Sequence, residues 1–233
     1  MTVTIRPSKA RGHARHGWLE SRHSFSFADY YDADQMGFRS LRVINEDIID
    51  GGSGFPPHGH RDMEIISYVV AGALAHRDST GSDGVIRRGD IQAMSAGTGV
   101  RHSEFNDSTE DKTHFLQIWI VPSANGLAPR YGEMSIPDAE KHNSLRLMVG
   151  PEAKPDTLQI NQDAKLYGSL LQAGHSVEHS LAVGRAAWLQ MVGGSVTLNG
   201  VTLQQGDGAA IEEADQLFIT AEQDSEFLLF DLA

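Results

Sequence analysis

Between residues 40 and 122, apolar and polar positions alternate in short runs. Turn-forming glycine, proline or aspartate breaks them roughly every 8–12 residues, as in an all-β sandwich or barrel. The runs "SLRVINEDII" (40–49), "MEIISYVVAG" (63–72), "ALAHRDST" (73–80) and "HFLQIWIVP" (114–122) are rich in β-branched and aromatic residues. "VIRRGDIQAMSAG" (85–97) reads as two strands around the turn at Gly89-Asp90. "DGGSGFPPHG" (50–59) reads as a Gly/Pro-rich loop. Helix signals are few; "PDAEKH" (137–142) predicts at most one short turn.

The order of elements over 64–94 recurs over 186–211. Each stretch has an apolar strand, a glycine turn (Ala71-Gly72; Gly193-Gly194), a short strand, a turn, and a strand introduced by Gly-Asp (Gly89-Asp90; Gly206-Asp207). This predicts an internal repeat of one β unit. The Pro-, Gly- and charge-rich stretch between 122 and 160 is the candidate linker, with "LRLMVG" (145–150) as a strand inside it. The expected division is an N-terminal domain over 1–132 and a C-terminal domain over 133–233.

Composition narrows the function. The net charge of −12, from 31 acidic and 19 basic residues, argues against direct binding of nucleic acid or anionic membrane, and is compatible with a protein partner. No cysteine is present, which removes disulfides and thiolate metal sites. The N-terminal "MTVTIRPSKARGHARHGW" has no apolar core, so no signal peptide is expected, and the lack of cysteine suits the cytoplasmic location expected here.

The chemistry concentrates in two pairs. In an extended strand, side chains two apart project from one face, so His58 and His60 point together, as do His102 and Glu104. Two strands facing each other inside a barrel bring all four to one point. Three imidazoles and a carboxylate suit one divalent first-row metal and leave one or two positions open, as catalysis requires. Iron stands first, with Zn, Mn, Ni, Co and Cu also accepted. Glu64, four residues after His60, competes with Glu104 for the fourth place, and spacing does not decide between them. Arg101 and Asn106 are candidates to orient the ligands. His13, His16, His23, His76 and His114 rank lower, and His175 and His179 read as surface residues. The second repeat has no histidine where the first has "RHSEFN", so it is expected to be metal-free.

"GSGFPPHGHRDMEIISYVVAG" resembles the first cupin motif, and "GDIQAMSAGTGVRHSEFN" the second. "GHARHGWLESRHSFSFADYYD", "MGFRSLRVIN" and "MSAGTGVRHSEFN" resemble the pirin family, most closely its bacterial quercetin 2,3-dioxygenase-like branch. Ser95 stands where the general motif often has proline. The resemblance implies a bicupin: two β-barrel (jelly-roll) domains facing each other, with chain termini exchanged between them. It implies one metal on His58, His60, His102 and Glu104, favouring Glu104 over Glu64, and a C-terminal barrel that has lost its site. It further implies a dioxygenase that cleaves a flavonol such as quercetin with O2 and releases CO. There Glu104 would be both ligand and catalytic proton acceptor, and Phe25, Phe27, Phe55, Phe105 and Met36 an apolar wall for the aromatic substrate. The alternatives are a metal-dependent regulatory module acting on a protein partner, or another cupin enzyme such as an isomerase or hydrolase.

Overall fold

A computed structural model describes all 233 residues. The first half is built from β1 (Thr2–Arg6), β2 (Gly12–Arg15), β3 (Leu19–His23), β4 (Leu41–Ile49), β5 (Gly54–His60) and β6 (Glu64–Ala71). These are followed by β7 (Ala73–Asp78), β8 (Asp83–Arg87), β9 (Ile91–Ser95), β10 (Val100–Asn106), β11 (Thr113–Ile120) and β12 (Arg130–Met134). The second half adds β13 (Arg146–Gly150), β14 (Leu158–Gln159), β15 (Ala164–Leu171), β16 (Ser176–Ser180), β17 (Ala186–Gly193) and β18 (Ser195–Leu198). It closes with β19 (Val201–Gln204), β20 (Gly208–Glu212), β21 (Gln216–Ala221) and β22 (Ser225–Leu232). The one α-helical turn, α1, spans Asp138–Lys141, inside the segment expected to hold it. No helix is long and apolar enough to cross a membrane.

The chain forms two compact units. One comprises Gly12–Ile136 with Pro151–Gln162, and the other Met1–Arg11, Pro137–Gly150 and Asp163–Ala233. This differs from the single cut between 132 and 133 expected from sequence. The reason is pairing between residues far apart in the chain. Thr2 to Arg6 lie antiparallel to β20, from Glu212 to Gly208, so the first strand completes the C-terminal unit. Asn161 in turn donates to Glu64 and Ser95 of the N-terminal unit.

In the N-terminal unit, a sheet ordered β12-β9-β6-β11-β4-β3-β2 accompanies a smaller one ordered β5-β10-β7-β8. Period-two alternation layers its interior. Ile65 on β6 joins one apolar cluster with Met94, Val100 and Trp119. Val69 joins another with Leu74, Ile86 and Phe115. Ser67 lies between them on the same face, buried and polar. The same sequence of layers runs along β11 as Trp119, Gln117 and Phe115. A polar layer is thus sandwiched between two apolar ones, and it holds the site.

The repeat is visible in the strands. β6-β7-β8-β9 and β17-β18-β19-β20 follow the same order, with Gly72 (φ 80) and Gly194 (φ 74) in the first turns, and Gly89 (φ 82) and Gly206 (φ 80) before the last strands. In the C-terminal unit the interior is apolar and largely aliphatic. Val177 on β16 opposes Ile219 on β21, and both pack with Leu189, Val196, Leu217 and Leu229. Gly72 is irreplaceable for two reasons. Its φ favours glycine, and a Cβ there would sit 2.6 Å from Thr113 Oγ1 and 2.8 Å from the Lys112 carbonyl. Gly72→Ala is expected to cost about 1–3 kcal/mol in urea unfolding. Gly81→Ala, with open space around its Cβ, should cost less.

Candidate metal centre

The Pro-rich lead-in expected to be a loop is instead strand. β5 lies at the edge of its sheet, the position where Pro56 and Pro57 need supply no ladder hydrogen bond. Its neighbour is β10. His102 lies directly opposite His58, and Val100 opposite His60; a bulge then follows between His102 and Glu104. The two pairs therefore come from adjacent, hydrogen-bonded strands. Beyond His60 the strand breaks at Arg61–Met63, where Asp62 adopts φ 49. The turn puts Glu64 out of phase with the histidines. Glu64 is buried, accepting from Ser95 Oγ at 2.6 Å and Asn161 Nδ2 at 3.0 Å.

His58, His60 and His102 each offer a ring nitrogen within 4.8 Å of the others. Hydrogen bonds fix the tautomers of two of them. His58 Nδ1 donates to the Pro56 carbonyl at 2.9 Å, which leaves Nε2 bare. His76 Nε2 donates to Asp78 Oδ2 at 3.0 Å, so His76 Nδ1 accepts from His102 Nδ1 at 3.4 Å, and His102 Nε2 is also bare. These two bare nitrogens lie 3.0 Å apart. Two lone pairs so close repel unless a cation lies between them. Nitrogens bound at about 2.1 Å to one ion at a right angle are about 3.0 Å apart, so the donor set fits a divalent metal. Burial, and then the neighbouring His58, lower His60 to about 4. Burial, and then His58 and His60, lower His102 to about 3. Both are therefore neutral and able to ligate at neutral pH.

Asp78 anchors this chain. Its side chain is 1% exposed, and burial alone would raise its carboxyl. Donors from Thr80, His76 and Ser82 outweigh burial and hold it at about 2. The His76 ring stacks on Tyr131 at 4.4 Å.

Glu104, 1% exposed, forms a second overlapping set with His76 and His102. Three side chains of the large sheet cradle it. Ser67 Oγ and Gln92 Nε2 reach Oε1 at 3.1 and 3.0 Å, and Gln117 Nε2 donates to Oε2 at 2.8 Å. Burial raises its carboxyl to about 7 against these donors, with Asp47 adding to the rise. The cradle continues across the sheet: Gln92, Ser67, Gln117, Asn45 and His23 occupy paired positions on β9, β6, β11, β4 and β3.

A cavity of about 460 Å³ opens onto the site, with His58, His60 and Glu104 in its wall. Of the expected apolar wall, Phe27 and Phe55 line it. Phe105 follows Glu104 on β10, so alternation turns it outward, 40% exposed. Met36 is 42% exposed, and Phe25 is buried away from the cavity. Trp119 and Tyr30 supply the aromatic surface instead. His13, His16 and His23, ranked low from sequence, also line it, together with Ser21, Asn45 and Asp47. The alternation of Leu19, Ser21 and His23, and of Val43, Asn45, Asp47 and Ile49, was the available signal: all seven are buried. Arg101 bonds the Pro57 carbonyl and Asn106 the Ile49 and Asp111 carbonyls, so both brace backbone rather than ligand side chains. His179, read as surface, is largely buried and pairs with Asp231 at 3.0 Å.

Two β units of one repeated design, one lined with histidines and the other filled with aliphatics, define a bicupin with a single candidate metal centre. The pirin family model matches residues 4–120, and that of the quercetinase C-terminal cupin domain matches 147–232. The chain belongs to the pirin family. It is 46% identical to quercetin 2,3-dioxygenase of Escherichia coli K12 over 99% of this chain and 98% of that one. It is 42% identical to a pirin-like protein of Caulobacter vibrioides, covering 99% and 100%. Among solved structures, the bacterial pirin YhhW from Escherichia coli in complex with nickel(II) superposes with a TM-score of 0.94 at 44% identity, covering 99% of each chain.

Proposed function

We propose that this protein is a metal-dependent dioxygenase that opens a flavonol such as quercetin with O2 and releases CO, its metal held by His58, His60, His102 and Glu104. The observation that carries this reading is the pair of bare imidazole nitrogens 3.0 Å apart beside the 460 Å³ cavity. The names of the relatives supply the reaction class. A bound divalent ion would act as a Lewis acid, lowering the proton affinity of a coordinated hydroxyl.

The chain's own residues account for binding and orientation. Phe27, Tyr30, Phe55 and Trp119 offer faces and edges for a flat ring system. No lysine or arginine lines the cavity, which favours a neutral polyphenol over a carboxylate or phosphate substrate. Glu104, expected from sequence to be both ligand and proton acceptor, is better suited to the first role. Ser67, Gln92 and Gln117 fix its orientation and engage both oxygens.

Elemental analysis of the purified protein should find about one first-row ion per chain, with iron and nickel the first to examine. Quercetin added in air should then give oxygen uptake matched by carbon monoxide. Metal far below one per chain, or oxygen consumption that quercetin leaves unchanged, would overturn the reading. Activity with a different metal would revise only the ion.

A further inference from the structure

A second polar cluster, on β3 and β4, lines the same cavity. Ser21 pairs with Asp47 and His23 with Asn45 across the two strands. All four line the cavity and are between 2% and 4% exposed. Ser21 Oγ donates to Asp47 Oδ1 in a short hydrogen bond. His23 Nδ1 donates to Asn45 Oδ1 at 2.8 Å, and Ser21 Oγ lies 3.4 Å from the same nitrogen. The His23 ring stacks on Tyr30 and tilts against Phe27, so it continues the aromatic wall.

Asp47 is a buried carboxyl on β4. Ser21 is its hydrogen-bond donor, and no lysine or arginine pairs with it. A carboxylate in such a place costs folding stability, and asparagine would satisfy Ser21 without that cost. On β4 the neighbouring charge is Glu46, itself paired with His114 of β11. On β3, Glu20 and Arg22 flank Ser21 on the opposite face. From β10, Glu104 shares the cavity. Glu46 opposes ionisation of Asp47, and His114 and the Ser21 hydroxyl favour it. Glu104, by contrast, already accepts three hydrogen bonds.

We propose that Asp47 is an acid–base group of this site, taking the proton of a hydroxyl of the bound substrate. The inference rests on the flavonol reading above. The flavonol O–H bond breaks, its electron pair stays on oxygen as the flavonolate, and the proton bonds to a carboxylate oxygen of Asp47. No oxidant or reductant is consumed. Burial chiefly, then Glu46, raises the Asp47 carboxyl to about 7 against Ser21 and His114, which suits a group exchanging protons near neutral pH.

The test uses full-length, metal-loaded wild type, Asp47→Asn and Ser21→Ala. Metal content, the anaerobic absorption spectrum of bound quercetin and the pH dependence of kcat are measured. Asp47→Asn should keep its metal and bind quercetin as the neutral flavonol, whereas wild type binds the flavonolate; kcat should fall by about 10²–10⁴. Ser21→Ala removes the donor that favours ionised Asp47, so the acid limb of its profile should move to higher pH. This shift also tests the inference should Asp47→Asn fail to fold. Flavonolate bound by Asp47→Asn, or an unmoved limb in Ser21→Ala, overturns the role of Asp47 alone. If wild type binds no flavonol, the flavonol reading falls and this inference with it.

Discussion

His102→Ala is expected to empty the metal centre and abolish oxygenase activity. His102 is the one residue common to both sets of converging ligands. Its Nε2 faces His58 Nε2 at 3.0 Å, and its Nδ1 joins the chain through His76 to Asp78. Alanine therefore removes one ligand and leaves the buried His76 Nδ1 without its donor. Metal content should fall from about one ion per chain to near zero, and with it the coupled oxygen uptake and carbon monoxide release. Two controls sharpen the result. His13→Ala removes a half-exposed histidine bonded to Glu20 at the cavity wall and should leave the ion in place. Glu64→Gln should also keep the metal, because Glu64 is engaged by Ser95 and Asn161; Glu104→Gln should lose much of it. A full complement of metal in His102→Ala would refute the ligand assignment. Metal lost from Glu64→Gln and kept in Glu104→Gln would exchange the two carboxylates.

What could be read from sequence was what depends on local periodicity. His58 with His60, and His102 with Glu104, are two apart on strands, so their common direction follows from the pleat alone. The same rule, carried through residues 61–63, keeps Glu64 in phase as well. The turn with Asp62 at φ 49 breaks that phase, and single-residue turn geometry is weakly encoded. The N-terminal "GHARHGWLESRH" gave no clear strand signal. It becomes β2 and β3 because β4 pairs with β3 from Leu19–Ile49 to His23–Asn45, a long-range contact. The same holds for β1, whose partner β20 lies some two hundred residues away. Asp47 was legible in principle, as an acidic residue in phase with Val43, Asn45 and Ile49. An acidic residue in a strand is ordinarily assigned to the solvent face, and only the fold shows this one turned inward. Strand phase separates the wall residues: Phe105 follows Glu104 and faces outward, whereas Trp119 is in phase with Gln117 and lines the cavity.

Breaking the chain behind His102 should weaken metal binding without touching a ligand. The ionised Asp78 accepts from His76 Nε2, and this sets which nitrogen of His76 carries the proton. The bare His76 Nδ1 in turn holds the proton of His102 on Nδ1, keeping Nε2 free. With Asp78 held at about 2, this order persists at every pH at which the histidines remain neutral. In Asp78→Asn the amide can present either its oxygen or its NH2 to His76, so the tautomer is no longer dictated. His76→Phe keeps a ring against Tyr131, 4.4 Å away in the native stack, but removes the acceptor of His102 altogether. Each variant is expected to bind a first-row divalent ion about 10–100-fold more weakly than wild type, measured by competition with a chelator of known affinity. Asp83→Asn provides the control on the same hairpin, since Asp83 is 60% exposed and pairs only with Arg77. Asp83→Asn should bind as wild type does. Equal weakening in all three variants would mean that the hairpin's stability, and not the directed proton, governs the site.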